Sequence, residues 1–324
     1  MNPREVYRLV EDDLSEVELE LARQTASDIP LIERIGQYVR NSGGKRIRPG
    51  LVLLSARLFG RRDPMCLRFA AIVELVHSAT LLHDDIIDDA KVRRGRPSVN
   101  ARWGNEITVL MGDWLYMTSF SLALTKRDFR VLNILADVTR KMVEGELLQL
   151  SLNGSLDITE EQHLDISTRK TAILFSACTQ IGAILGSASE DQEERLRQYG
   201  LDVGIAFQLV DDVLDLTSTE SKLGKPVGSD LSEGKLTLPL IYLVRDGRAE
   251  HRELVATVLR ERGFRSVPRE TILQLLRRHG ALDRVLEKAR DHARRAKEQL
   301  AAFPPGDARA ALSLLPDYIV ERDW

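Results

Sequence analysis

Residues 83–89 read HDDIIDD, and four of these seven side chains are carboxylates: Asp84, Asp85, Asp88 and Asp89. They close a largely apolar run, AAIVELVHSATLL, from Ala70 to Leu82. In a helix, Asp84 and Asp88 lie one turn apart on one face, and so do Asp85 and Asp89. At ~6 Å and an effective dielectric of ~20, each such pair is unfavourable by roughly 3 kcal/mol. Water, basic partners or metal ions must offset that. Residues 207–215, FQLVDDVLD, repeat the spacing with Asp211, Asp212 and Asp215. Both clusters end long apolar helical runs, where the macrodipole disfavours negative charge. A solvated acidic helix end would account for one cluster, but the same unfavourable arrangement twice asks for one cause. If the two helices face each other, six carboxylates converge as hard oxygen ligands, which suit Mg²⁺. Magnesium keeps several waters and shares its shell with phosphate. The expected chemistry is two acidic walls holding Mg²⁺ ions that in turn hold a diphosphate.

A diphosphate also needs cations. GGKRIRP (43–49) places Lys45, Arg46 and Arg48 after a double glycine, and glycine lets the backbone approach an anion closely. Arg93 and Arg94 follow the first acidic motif. Lys170 stands in RKTA, Lys225 in GKP and Lys235 in EGKLTLP. Arginine suits bidentate phosphate contacts and lysine supplies a point charge. Taken singly, each reads as a solvated surface residue, except that Lys45 and Arg48, after the double glycine, carry a stronger signal. His77 lies seven residues before Asp84 on nearly the same face, as a core histidine or as a donor to a diphosphate. His83 reads as structural.

Helices must position these groups. Apolar residues recur at spacings of three and four almost throughout, with few strand-like alternations. The pattern predicts helices over 3–24, 28–41, 46–60, 64–90, 105–125, 128–151, 159–169, 170–187, 191–217, 235–246, 249–262, 268–279, 281–303 and 306–322. Breaks fall at SGG (42–44), GRRDP (60–64), RRGRPS (93–98), NGSLD (153–157) and GKPVGSD (224–230). No low-complexity linker or short repeat divides the 324 residues, so one large helical domain is the simplest reading. At 43% hydrophobic and 29% charged the chain fits a soluble globular protein. A net charge of −3 argues against non-specific nucleic-acid binding. Two cysteines, Cys66 and Cys178, exclude a disulfide framework or thiolate zinc site and point to a reducing, cytoplasmic location. The charged N-terminus does not read as a signal peptide. The longest uncharged run, Thr171 to Ser189, has the length of a membrane span but too many polar and small residues, and is expected to be buried in protein.

Taken in order, GGKRIRP, HDDIIDDAKVRRG, RKTA, FQLVDDVLD and GKPVGSDLSEGKLTLP resemble the motifs of the trans-prenyl diphosphate synthases. The resemblance runs from about Gly43 to Pro239, with no departure at a motif position. HSATLLHDD and VLMGDWLY are similar to the long-chain, quinone-tail members of the octaprenyl, heptaprenyl and solanesyl type. The resemblance implies an all-α, single-domain bundle over residues 1–324 around a central cavity. It implies Mg²⁺, three per active site with diphosphate bound, on Asp84, Asp85, Asp88, Asp211, Asp212 and Asp215. Lys45, Arg48, His77 and Arg94 would hold isopentenyl diphosphate. Arg93, Lys170, Lys225 and Lys235 would grip the allylic diphosphate. Thr171 and Gln208 would stand beside the carbocation and in the proton-loss step. A homodimer is implied as well. The residue types agree with ionisation, attack by the isopentenyl double bond and loss of a proton to the released diphosphate. No Ser-His-Asp or Cys-His pattern supplies a side-chain nucleophile.

The growing chain would enter a cavity lined by the acidic helix. About one turn before Asp84 stand Ala79 and Thr80, where large aromatics give short products in the family. Both are small here, so elongation is expected to pass them and stop deeper, with Met117, Phe120 and Leu135 as the floor. A 25-residue helix is ~37 Å long, with room for roughly seven to ten isoprene units. The alternatives are a farnesyl or geranylgeranyl synthase and the catalytic subunit of a two-chain enzyme. A class I terpene cyclase is disfavoured by the second DDxxD and by only 5% aromatics. A phosphohydrolase built on His83 and Asp84 would need further histidine ligands, and His163, His251, His279 and His292 lie in no supporting motif. A binding-only subunit would have no need of both acidic motifs.

Overall fold

The structure, a computed structural model, describes residues 7–125, 128–220, 224 and 226–322. Among them are fourteen α-helices of eight residues or more. They are α1 (Glu11–Gln24), α2 (Pro30–Asn41), α3 (Ile47–Arg57), α4 (Pro64–Ile87), α5 (Asn105–Leu124), α6 (Phe129–Leu152) and α7 (Glu160–Ser167). Then follow α8 (Ile173–Leu185), α9 (Glu190–Thr217), α10 (Leu238–Asp246), α11 (Ala249–Glu261), α12 (Arg269–Arg278), α13 (Ala281–Gln299) and α14 (Asp307–Glu321). A two-stranded hairpin pairs Val92–Arg93 with Arg96–Pro97. Each helix answers to one expected from the periodicity. The differences lie at ends: among the described residues a 3-10 turn, Arg8–Val10, precedes α1, and α4 stops at Ile87 instead of running to residue 90, while positions 3–6 of the first expected helix lie outside the described residues.

Local chemistry sets where the site-bearing helices start. The Asp63 carboxylate accepts from the amides of Met65 and Cys66, with Pro64 at the first helical position of α4. Ser189 and Gln192 form a reciprocal capping box at the start of α9, as Thr159 and Gln162 do for α7. A single π turn, Thr168–Ala172, joins α7 to α8 and carries RKTA; such turns often sit at functional positions.

The core is one continuous apolar cluster through which α4, α8 and α9 pass. The long uncharged run forms α8, with Leu174, Phe175, Cys178 and Ile181 fully buried. Each such aliphatic or aromatic side chain contributes roughly 1.5–3 kcal/mol by leaving water. Glycines let the helices close in. A Cβ at Gly182 would lie 2.5 Å from the Val52 carbonyl of α3, and one at Gly204 would lie 2.5 Å from Ala172 Cα. By length and composition α4 and α5 could cross a membrane; α4 is mostly buried in protein, whereas α5 is more exposed.

Candidate active site

The first acidic motif sits at the C-terminal end of α4. Asp84 and Asp85 lie in its last turn, and Asp88 is the C-cap. The chain then turns left-handed at Asp89 (φ 49°). Asp89 therefore does not share a helical face with Asp85. It points into solvent and pairs with Lys91. Asp85 is buried and held by Arg93, 2.8 Å from Nε. Asp88 accepts from Lys235 Nζ at 2.9 Å. Among the described residues Asp84 alone of the six acids has a side chain with neither a hydrogen bond nor an ion pair. Burial pushes its carboxyl up to about 6; Lys170 opposes the rise, while Glu146 and Asp88 add to it.

The second motif lies near the C-terminal end of α9. Asp211 receives the Arg322 guanidinium, which also donates to the Phe207 carbonyl at 2.7 Å and stacks on the Phe207 ring. Asp212 accepts from Gln208 Nε2 at 3.0 Å and meets His163 Nε2 at 2.7 Å. Asp215 accepts from Ser229 Oγ at 3.0 Å and from the Asp230 amide at 3.3 Å.

One loop ties the two motifs together. The Lys235 amide donates to the Asp230 carbonyl, the Asp230 amide reaches Asp215, and the Lys235 ammonium sits between Asp88 and Glu233 (2.7 Å). The RKTA turn is held near both walls as well. Lys170 pairs with Glu146 of α6 and acts on Asp84, and Thr171 Oγ1 donates to Gln208 Oε1 at 2.9 Å. The site thus brings Asp84, Asp85, Asp88, Asp211, Asp212, Asp215, Lys170, Thr171, Gln208 and Lys235 into one connected region. Lys225 lies outside the described residues.

Beside the first wall lies a basic pocket. Arg46 (φ 49°) and Arg94 (φ 53°) both sit in the left-handed region. Their guanidinia crowd Gly44, where a Cβ would stand 2.9 Å from Arg46 Nη1 and 3.0 Å from Arg94 Nη1. Gly43 (φ 74°) and Gly44 (φ 156°) themselves take backbone conformations that favour glycine. Arg48 lies over the Phe175 ring (4.7 Å), with a buried Nε that has no hydrogen-bond partner. Burial, then the Arg48, Arg94 and Arg93 charges, push His77 well below the usual imidazole range, so it is neutral. Lys45 is exposed. A cavity of about 50 Å³ is lined by Arg46, Glu74, Asp85, Arg93 and Arg94 among others.

Along α4, Ala79 is fully buried and Thr80 donates to the His77 carbonyl at 2.7 Å. Leu135 is buried and Phe120 partly so. Met117 is 61% exposed, so it does not form a floor within this chain. His83 faces α5, with the Val109 carbonyl 3.3 Å from Nε2 and its ring against Tyr116, which makes it structural.

Sequence reasoning missed the groups that hold these residues. Glu74, buried, accepts from Arg46 Nη1 at 2.7 Å, and its signal was a lone acid inside an apolar run. Glu146 and His163 showed no signal beyond their helical phase. Arg322, more than a hundred residues from its partner, showed none.

The donor set fits a hard divalent cation. The six acids offer only oxygens, and each hydrogen-bonded carboxylate oxygen keeps a further lone pair. Among the described residues no three potential ligands stand together as a ready-made metal cage. The chain's own cations, Arg93, Lys235 and Arg322, balance the acids instead.

Comparisons with known proteins agree. The polyprenyl synthetase family model matches residues 29–274. An octaprenyl diphosphate synthase of Haemophilus influenzae is 37% identical over 324 residues, covering 100% of this chain and 98% of the relative. A short chain isoprenyl diphosphate synthase of Methanothermobacter thermautotrophicus is 37% identical over 315 residues, 95% of this chain and 96% of that one. The crystal structure of a Caulobacter crescentus polyprenyl synthase complexed with calcium and isoprenyl diphosphate superposes with a TM-score of 0.95 at 37% identity, covering 100% of this chain and 98% of that one. With the motifs, the helical architecture and the full-length matches in accord, this chain belongs to the polyprenyl synthetase family and is a prenyltransferase.

Proposed function

We propose that the whole chain acts as one domain that condenses isopentenyl diphosphate head to tail with an allylic prenyl diphosphate, giving a long-chain all-trans polyprenyl diphosphate for quinone side chains. The observation that carries this reading is the 229–235 loop, which links the acids at the ends of α4 and α9 and carries the cation Lys235. Mg²⁺, three ions per site with diphosphate bound, would be held by Asp84, Asp85 and Asp88 on one wall and Asp211, Asp212 and Asp215 on the other. It supplies neutralisation of the leaving diphosphate.

The chain's own residues do the rest. Arg93, Lys170 and Lys235, with Lys225, hold positive charge against the allylic diphosphate as its C–O bond breaks and the electron pair leaves with it. Lys45, Arg48, His77 and Arg94 orient isopentenyl diphosphate, whose double bond forms the new C–C bond. The partnerless Nε of Arg48 is a donor held ready for an oxyanion. Thr171 and Gln208 face the resulting cation, and its proton departs to the released diphosphate.

Identity does not separate long from short product, since the two relatives above differ in name and not in closeness. The small, buried Ala79 and the adjacent Thr80 favour length, with Phe120 and Leu135 as the remaining floor. We further infer a soluble cytoplasmic protein, in keeping with its free Cys66 and Cys178, and a homodimer, supported by an exposed apolar stripe on α5 and α6.

The test is an incubation of the purified chain with Mg²⁺, farnesyl diphosphate and labelled isopentenyl diphosphate, with products resolved by length. A ladder ending at roughly seven to ten units is expected, and Ala79→Tyr should stop it after a few. No incorporation overturns the function, and a parent product of four units or fewer overturns the assigned length.

A further inference from the structure

A histidine outside every recognised motif is built into the second acidic wall. His163 is 8% exposed and enters from α7, and its Nε2 lies 2.7 Å from Asp212 Oδ2. Asp212 is itself 1% exposed. Its other oxygen takes Gln208 Nε2 at 3.0 Å, and Gln208 Oε1 takes the Thr171 hydroxyl at 2.9 Å. Directions follow from what each group can do. A carboxylate only accepts, so Gln208 must turn its amide nitrogen toward Asp212 and its oxygen toward Thr171. His163 must carry its proton on Nε2. All the hydrogens therefore run toward Asp212, two in sequence from Thr171 and one from the opposite side. The Thr171 hydroxyl hydrogen is committed to Gln208, leaving the oxygen lone pairs as the part a developing cation meets.

We propose that His163 is a positioning residue for the reaction. It fixes the Asp212 carboxylate between two donors, which orients its remaining lone pairs toward a metal–diphosphate ligand and keeps the Thr171–Gln208 pair in one polarity. The inference rests on the prenyltransferase site proposed above. The α7 capping box, Thr159 with Gln162, places His163 at its level on the helix. The Ser167 hydroxyl donates to the His163 carbonyl at 2.8 Å, which steadies the same turn.

The test compares the full chain with His163→Phe, which keeps the bulk and removes the donor, and His163→Gln, which returns an N–H near the Nε2 position. Mn²⁺ binding in the presence of inorganic diphosphate, followed by electron paramagnetic resonance, reads the acidic wall without turnover. Steady-state condensation reads kcat and KM separately. For His163→Phe we expect Mn²⁺ affinity to fall roughly ten- to hundred-fold, in the range of outer-shell partners of metal ligands. Its kcat should fall while the KM for isopentenyl diphosphate, assigned above to Lys45, Arg48, His77 and Arg94, stays put. His163→Gln should recover most of both. Parental Mn²⁺ binding by His163→Phe overturns the inference. So does equal loss in both variants with a lowered Tm, which would make His163 a packing residue. If the parent forms no longer prenyl product, the functional reading fails, and the Mn²⁺ titration still decides the role of His163.

Discussion

Asp84 is the acid with the least protein support. Its five companions each have a hydrogen bond or ion pair, whereas burial and two neighbouring acids, Glu146 and Asp88, push it up to about 6. The folded value lies above the ordinary 3.8, so between the two the folded chain binds more protons than the unfolded one. Stability must then fall as pH rises through that window, and the loss is complete above about pH 6. Asp84→Asn should therefore stabilise the metal-free protein at pH 7.5 by on the order of 1–3 kcal/mol, with a smaller gain at pH 4.5. Turnover should drop by orders of magnitude. Melting curves in EDTA at both pH values, beside the condensation assay, decide it. An equal gain at both pH values, or a loss at pH 7.5, would remove the electrostatic argument. Sequence spacing alone singled out Asp84 and its five companions. It did not find that Asp89 departs, because a left-handed residue after a C-cap leaves no mark in a helical repeat.

At the scale of the helix, α8 and α9 approach so closely that a Cβ is excluded at two positions of their seam. Gly200 and Gly204 of α9 face α8 and the π turn that carries Thr171. A Cβ at residue 204 would meet Ala172 Cα at 2.5 Å, a backbone atom that moves only if the turn moves. Gly204→Ala should cost about 1–3 kcal/mol through overpacking, less the fraction regained from its better helix propensity. It should also lengthen the 2.9 Å Thr171–Gln208 contact and lower kcat with little change in substrate KM. Thermal melting and steady-state kinetics read the two effects separately. An unchanged kcat with a lowered Tm would show that the seam is structural only. The helices themselves were legible because caps such as Asp63 and Ser189 and breaks such as GRRDP and NGSLD are local chemistry. The seam was not, since a glycine inside a helical run reads the same whether it faces solvent or a neighbouring backbone.

At the scale of the molecule, the outer face of α5 and α6 is unlike the rest of the surface. Leu110, Met117 and Leu124 recur every seven residues on α5, and Val143, Leu147 and Leu150 follow on α6; all are exposed, Leu110 at 67% and Leu147 at 62%. This is why Met117 could be mistaken for a cavity floor. The 105–125 run is apolar on more than one face, and sequence cannot separate a face turned to the core from one turned to another subunit. The proposed occupant of this stripe is a second copy of the chain, since an isologous contact would bury the same six residues twice. The doubling also sharpens the test. A buried aliphatic side chain is worth roughly 1.5–3 kcal/mol, so replacing Leu147 with Glu removes about 3–6 kcal/mol from a two-fold interface and buries two unpaired charges besides. The dissociation constant should rise a hundred-fold or more. Light scattering behind size-exclusion should give twice the 36.5 kDa chain mass for the parent and the single mass for Leu147→Glu at micromolar concentration. The six acids, Arg93, Lys170 and Lys235 meet within a single chain, so the monomeric variant should still bind Mn²⁺ with diphosphate. A parent that runs as a monomer would leave the stripe to a different partner chain and would return the two-subunit reading to first place.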